Sequence, residues 1–210
     1  MFANLITLSR LFLLYMILYM ISCNILAWHM YAVLFTIVLI VLDGVDGVVA
    51  RHYHTESEFG SVFDIVIDRI VENCFWIFFA VRGVIPAAIP IIVLSRGLFT
   101  DGIRSVALAH GMTAFGERSM QSTRLGKLLV TSHFSRGLYG TLKVFSFLFL
   151  IIMDAQKLPG ARDKMLLQFH DLIRLIGEGT IYLTVALCII RGLPVIMESR
   201  RLILGKENND

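Results

Sequence analysis

Six stretches of this chain are long and apolar enough to cross a lipid bilayer as helices, which leaves few folds open to it. They run roughly Ile6–Ala27, Tyr31–Ala50, Gly60–Arg82, Ile85–Ala109, Leu125–Met153 and Leu175–Met197. The second is rich in Val and Ile, which in water would suggest a strand. In hydrocarbon an open strand leaves its backbone N–H and C=O groups unsatisfied, so this stretch is read as a helix too. Apolar residues make up 57% of the 210 and charged residues only 17%, against the 45–50% apolar share typical of soluble domains. The expectation is an all-α integral membrane protein, one domain over residues 1–210, with about six transmembrane helices.

The connections separate into two kinds. Trp28-His29 and Arg82-Gly83 read as tight turns, while residues 51–59, 110–124 and 198–210 are longer and polar. An even number of spans puts both termini on one side, together with the 51–59 and 110–124 loops. Arg51, Arg118, Arg124, Lys127, Arg200, Arg201 and Lys206 mark that side as cytoplasmic. The opposite loop, 154–174, also carries Lys157, Arg162, Lys164 and Arg174, and its Leu166–Leu175 stretch reads as an amphipathic helix lying at the interface. Met20-Ile21-Ser22-Cys23 faintly resembles a lipoprotein cleavage box, but five further apolar segments follow, so the first is read as a retained span. Cys23, Cys74 and Cys188 lie in apolar runs without metal-ligand spacing and are read as small buried hydrophobes. A net charge of +3 suits an anionic lipid surface and gives no support to a nucleic-acid partner.

Against this apolar background one polar pattern stands out, D-x2-D-G-x2-A-R-x8-G-x3-D-x3-D, formed by Asp43, Asp46, Gly47, Ala50, Arg51, Gly60, Asp64 and Asp68. Residues three and four apart share a helix face. Asp43, Asp46, Gly47 and Ala50 therefore line the end of the second span, and Asp64 and Asp68 the start of the third. The short 51–59 loop makes these spans antiparallel neighbours, so four carboxylates converge just inside the membrane. Such a group is costly unless cations neutralise it. All-oxygen hard donors suit Mg²⁺, Mn²⁺ or Ca²⁺, and two such ions would clamp phosphate oxygens. Gly47, Ala50 and Gly60 let a ligand approach the helices closely. Arg51 can hold a phosphate or a base edge through paired hydrogen bonds. The plainer reading, in which the aspartates cap helices or pair with Arg51 and Arg69, does not account for eight positions at fixed spacing.

The pattern Asp43 to Asp68 resembles, without departure, the signature of the CDP-alcohol phosphotransferase family of membrane enzymes. Asn4, Thr7 and Arg10 are similar to that family's N-x2-T-x2-R entry to the first span, with Ala3 where a proline is usual. The resemblance implies transfer of a phosphatidyl group from CDP-diacylglycerol to an alcohol, with release of CMP. It implies two Mg²⁺ (or Mn²⁺) ions at Asp43, Asp46, Asp64 and Asp68, with Asp68 also the general base on the acceptor hydroxyl. CDP contacts would come from Asp43, Gly47, Ala50, Arg51 and Gly60, with Asn4 and Thr7. A homodimer with one site per protomer is implied as well, in a bacterial inner membrane with the site facing the cytoplasm.

The acceptor is read from the cations. Arg96 and Arg104 lie two turns apart on nearly one helix face. With Gly116-Glu117-Arg118-Ser119 and Gly126-Lys127 they resemble the bacterial branch of the family that uses glycerol 3-phosphate. Cations within apolar spans usually line polar cavities. Arg96, Arg104, Arg118, Lys127 and Arg191 are therefore the candidates for binding the phosphate of a phosphorylated polyol. Asp101 offers Arg104 an alternative partner at i,i+3. Inositol phosphate, serine or another alcohol would use the same chemistry. A divalent-cation transporter is the reading from a different class; it calls for carboxylates at mid-membrane in two related repeats, and this chain clusters them at one edge without a second copy. His52, His54, Glu56 and Glu58 are read as solvated loop residues, and His110 and His133 as satisfied interior ones. Gly137, Gly140 and Glu178 carry no evident role.

Overall fold

The computed structural model describes residues 2–52, 58–109, 132–161 and 169–203. Their secondary structure is helical throughout: α1 (Phe2–Ser22), α2 (Leu26–His52), α3 (Glu58–Val81), α4 (Ala88–Ala109), α5 (His133–Ala155) and α6 (His170–Ile203), with a 3₁₀ turn at Pro159–Ala161. Three helices are long and apolar enough to cross a membrane, over Leu26–Gly44, Phe134–Ala155 and His170–Met197. The apolar part of α1, Thr7–Ser22, is shorter. α3 and α4 do not reach that standard; they carry Asp64, Asp68, Arg69 and Glu72, and Arg96, Asp101 and Arg104.

The described chain divides into two compact units, Met1–Ala87 with Val144–Gly179, and Ala88–Lys143 with Thr180–Asp210. In the first unit α1 packs on both α2 and α3. Leu14, Ile17 and Ile21 recur at helical spacing on the buried face of α1, opposite Phe12, Tyr15 and Tyr19, which are exposed. α3 buries Ile67, Val71, Phe75 and Phe79 at four-residue steps. The second half of α5 closes this core. Phe147 stacks on Phe75 with ring centroids 4.6 Å apart and meets Trp76 edge-on at 5.3 Å. Gly177 of α6 packs so tightly on α5 that a Cβ there would lie 2.9 Å from Met153 Sδ and 3.3 Å from Phe149 Cβ. The outward faces of α2 and α3 are apolar as well, with Leu34, Ile37, Val38 and Val41, and Val62, Ile65 and Val66 exposed. Water would penalise such surfaces, and lipid tails accept them.

The helix ends explain the turns. α1 stops at Asn24, which adopts a left-handed φ of 55°, a conformation that Asn tolerates better than most residues. α3 stops at Gly83 (φ 67°) in a Schellman arrangement: the Gly83 N–H donates to the Ala80 carbonyl and the Val84 N–H to the Phe79 carbonyl. Arg82-Gly83 is thus the turn the sequence suggests. Trp28-His29 is not, because α2 already begins at Leu26 and His29 is buried inside it. Two other expectations change. His52 is the last residue of α2 and not a loop residue, and residues 170–175 are the opening turns of α6 rather than a separate interfacial helix. Residues 166–168 lie outside the described residues, as do 110–131 and 53–57.

At this turn end of the first unit lies a second polar group that no sequence pattern announces. The side chain of Asp154, 2% exposed, accepts from Arg82 Nε at 2.7 Å, and the same carboxylate oxygen hydrogen-bonds His29 Nε2 at 3.1 Å. Arg82 Nη2 also donates to Asn24 Oδ1 at 2.7 Å, and Lys157 Nζ donates to the Gly83 carbonyl at 3.0 Å, capping α3. One carboxylate thereby ties together α2, α3 and α5, with the α1–α2 turn held through Arg82.

Candidate functional site

Asp43 lies in the second half of α2, and Asp64 and Asp68 lie one helical turn apart in the first half of α3. These positions of the two helices come to one level. One carboxylate oxygen from each of the three aspartates lies within 4.8 Å of the other two. Asp46, Gly47, Ala50 and Arg51 continue α2 beyond Asp43, and Gly60 sits on α3 a turn before Asp64; the side chains of residues 45–51 lie outside the described residues. Thr7 is buried on α1, and the backbone of Asn4 lies on the same helix.

The cation that holds the three carboxylates is Arg10. Its Nη2 pairs with Asp43 at 2.6 Å and with Asp68, and its Nη1 donates to Asp64 at 2.9 Å. The guanidinium side chain is 3% exposed, against 45–46% for the carboxylates. Its Nε is buried without a hydrogen-bond partner among the described residues. The sequence did hold a signal for this: Arg10 is a charge inside an apolar run, and such a charge needs a partner. Spacing could not name that partner, which is 54 residues away in the case of Asp64. Chemically the cluster suits a hard divalent cation, since its donors are carboxylate oxygens with no nitrogen or sulfur among them.

The second unit carries a separate basic cluster. Arg191 of α6 is buried, donates from Nη1 to Ser135 Oγ at 2.6 Å, and lies over the Tyr139 ring at 5.7 Å. Arg96 of α4 crosses the α6 backbone at Gly192, where a Cβ would lie 2.8 Å from Arg96 Cγ and 3.0 Å from its Nε. That Nε is buried without an acceptor among the described residues. Arg104 continues α4, with its side chain outside the described residues, and Arg118 and Lys127 lie outside them altogether. Of the five candidate acceptor cations, Arg96, Arg104 and Arg191 lie on described helices of this unit, and the side chains of Arg96 and Arg191 are described. The structure adds Ser135 and Tyr139, which the sequence reading passed over because neither is charged. Glu178, read as without a role, accepts from Arg174 Nε at 2.8 Å on the exposed face of α6.

The described residues are helical, with long apolar spans and an aspartate cluster shared between α2 and α3. The model of the CDP-alcohol phosphatidyltransferase family covers residues 1–190, and the chain belongs to that family. It is therefore an enzyme, a phosphotransferase that moves a phosphatidyl group from a CDP-alcohol to an acceptor alcohol within a membrane. The family is generally dependent on a divalent metal, and the aspartate cluster has the donors for one. A comparison with curated proteins gave no match.

Proposed function

We propose that the chain transfers the phosphatidyl group of CDP-diacylglycerol to glycerol 3-phosphate, giving phosphatidylglycerophosphate and CMP. The observation that carries this reading is the approach of Asp43, Asp64 and Asp68 to within 4.8 Å. Two Mg²⁺ or Mn²⁺ ions held by Asp43, Asp46, Asp64 and Asp68 would supply neutralisation of the diphosphate and of the charge that develops on departing CMP. Asp68 takes the proton of the acceptor hydroxyl. As that oxygen bonds to the phosphatidyl phosphorus, the bond from phosphorus to the CMP oxygen breaks. Gly47, Ala50, Arg51 and Gly60, with Asn4 and Thr7, are assigned to the CDP moiety.

A phosphorylated acceptor accounts best for the second cluster. Arg191 is costly to bury, Arg96 is half-buried beside Gly192, and together they carry more positive charge than a neutral alcohol requires. Arg104, Lys127 and Arg118 are assigned to the same phosphate. We further read the chain as one domain with six spans, α1, α3 and α4 crossing despite their charges. It would work as a homodimer in a bacterial inner membrane, with the aspartates on the cytoplasmic side.

The test uses purified protein in detergent with CDP-diacylglycerol, Mg²⁺ and radiolabelled glycerol 3-phosphate, and Asp68→Asn alongside. Label in extractable lipid, lost in the variant, supports the acceptor and the need for the Asp68 carboxylate, as base or as metal ligand. CMP release only with inositol phosphate or serine would keep the chemistry and replace the acceptor.

A further inference from the structure

Arg10 reaches the aspartates from a third helix and engages one oxygen, Oδ1, on each of Asp43, Asp64 and Asp68. Its near-complete burial, beside carboxylates that remain almost half exposed, sets the guanidinium on the protein side of the cluster and leaves the carboxylates open on the other. Three carboxylates this close repel one another. The positive charge of Arg10 relieves part of that repulsion, and a divalent cation would relieve more. The planar guanidinium spreads these contacts over two nitrogens held in one plane, whereas a Lys ammonium would have to make all three from a single nitrogen on a flexible stem.

We propose that Arg10 is a positioning residue for the divalent-metal site. By fixing one oxygen of each aspartate, it holds the remaining carboxylate oxygens together as a preformed cage for the cation. The inference rests on the metal reading given above. It assigns Arg10 no contact with substrate and no proton to move. Partners that hydrogen-bond to metal ligands orient those ligands, and their loss typically weakens metal binding about 10–100-fold. The opposite arrangement, in which the guanidinium merely substitutes for an absent metal, makes the opposite forecast: without Arg10 the metal would bind more tightly.

The experiment is a Mn²⁺ titration of the purified, metal-stripped protein, with free Mn²⁺ read by electron paramagnetic resonance. Wild type is compared with Arg10→Gln, Arg10→Lys and Arg82→Gln, and Tm is recorded for each in chelator. Saturable binding is expected in wild type, weakened about 10–100-fold in Arg10→Gln and by less in Arg10→Lys. Arg82→Gln loosens the separate ionic group around Asp154 in the same unit. It should lower Tm and leave the Mn²⁺ affinity at the wild-type level, which separates positioning from general stability. Affinity unchanged or increased in Arg10→Gln overturns the inference. If Arg10→Gln does not fold, Arg10→Lys decides, and wild-type affinity in that variant overturns it equally. A wild type with no saturable binding fails differently, because it removes the metal reading and this inference with it.

Discussion

The side chain of Arg96 lies directly against the backbone of Gly192, closer than a methyl group at that position would permit. The contact sits beside the first atoms of the arginine side chain, so a swing of the far end alone does not relieve it. Gly192→Ala should therefore displace Arg96 rather than be absorbed. We expect the KM for the phosphorylated acceptor to rise roughly tenfold, a change of about 1.4 kcal/mol, with the KM for CDP-diacylglycerol unchanged. Steady-state kinetics with each substrate varied in turn checks this. Equal changes in both constants would count against the assignment of Arg96 to the acceptor.

Asp68→Asn keeps the size of the side chain and most of its hydrogen bonding, and removes its capacity to take a proton. Loss of a general base costs typically 10²–10⁴-fold in rate, and kcat should fall within about that range while Tm in detergent changes little. Rapid transfer by a well-folded Asp68→Asn enzyme would move the base to another group.

Metal removal should be total in effect and reversible. Dialysis against a chelator is expected to bring lipid labelling to background, and added Mg²⁺ or Mn²⁺ to restore it. The cluster's all-oxygen donors give no reason for zinc to be the better replacement. Transfer that persists in chelator would contradict the role given to the aspartates.

Asp154→Ala tests the turn end of the first unit. It leaves His29, fully buried, and Arg82, mostly buried, without their shared carboxylate. Breaking a buried pair by removing one partner costs about 3–5 kcal/mol; because Arg82 is partly open to solvent, the lower end is expected. Thermal unfolding in detergent measures it, and the Mn²⁺ affinity should not change, since the aspartate cluster lies at the other end of α1, α2 and α3.

Two neighbouring glycines of α6 should respond in opposite senses. Gly177→Ala presses a methyl group onto Met153 and Phe149 and should cost about 1–3 kcal/mol, as overpacking does. A Cβ at Gly179 meets nothing within 4 Å, so Gly179→Ala should be neutral or mildly stabilising. Paired melting curves of the two variants decide the matter.

Local chemistry explains how far the residues could be read in advance. Apolar runs and helical periodicity are encoded within a few turns, which is why the six described helices and the grouping of Asp43, Asp64 and Asp68 across α2 and α3 were legible from the chain alone. The Gly83 turn is legible for the same reason. Helix starts were less so: Trp28-His29 looks like a break, yet His29 finds its partner 125 residues later and is carried into the body of α2. Arg10 and Asp154 are the same kind of case. Each is a lone charge whose meaning lies in a distant residue, and periodicity holds no record of distant pairing. Ser135 and Tyr139 were missed because their part is to hold Arg191, and nothing in their own neighbourhood marks that.

The pairing of Arg10 with Asp43, Asp64 and Asp68 also fixes an order of events during synthesis. All four residues belong to the first three helices, whereas Asp154, which fastens the far end of those helices, follows Arg82 by 72 residues. A chain delivered to the membrane from its N-terminus can therefore gather its acidic residues around the arginine while the second half is still on the ribosome. The fastening at the opposite end has to wait for α5.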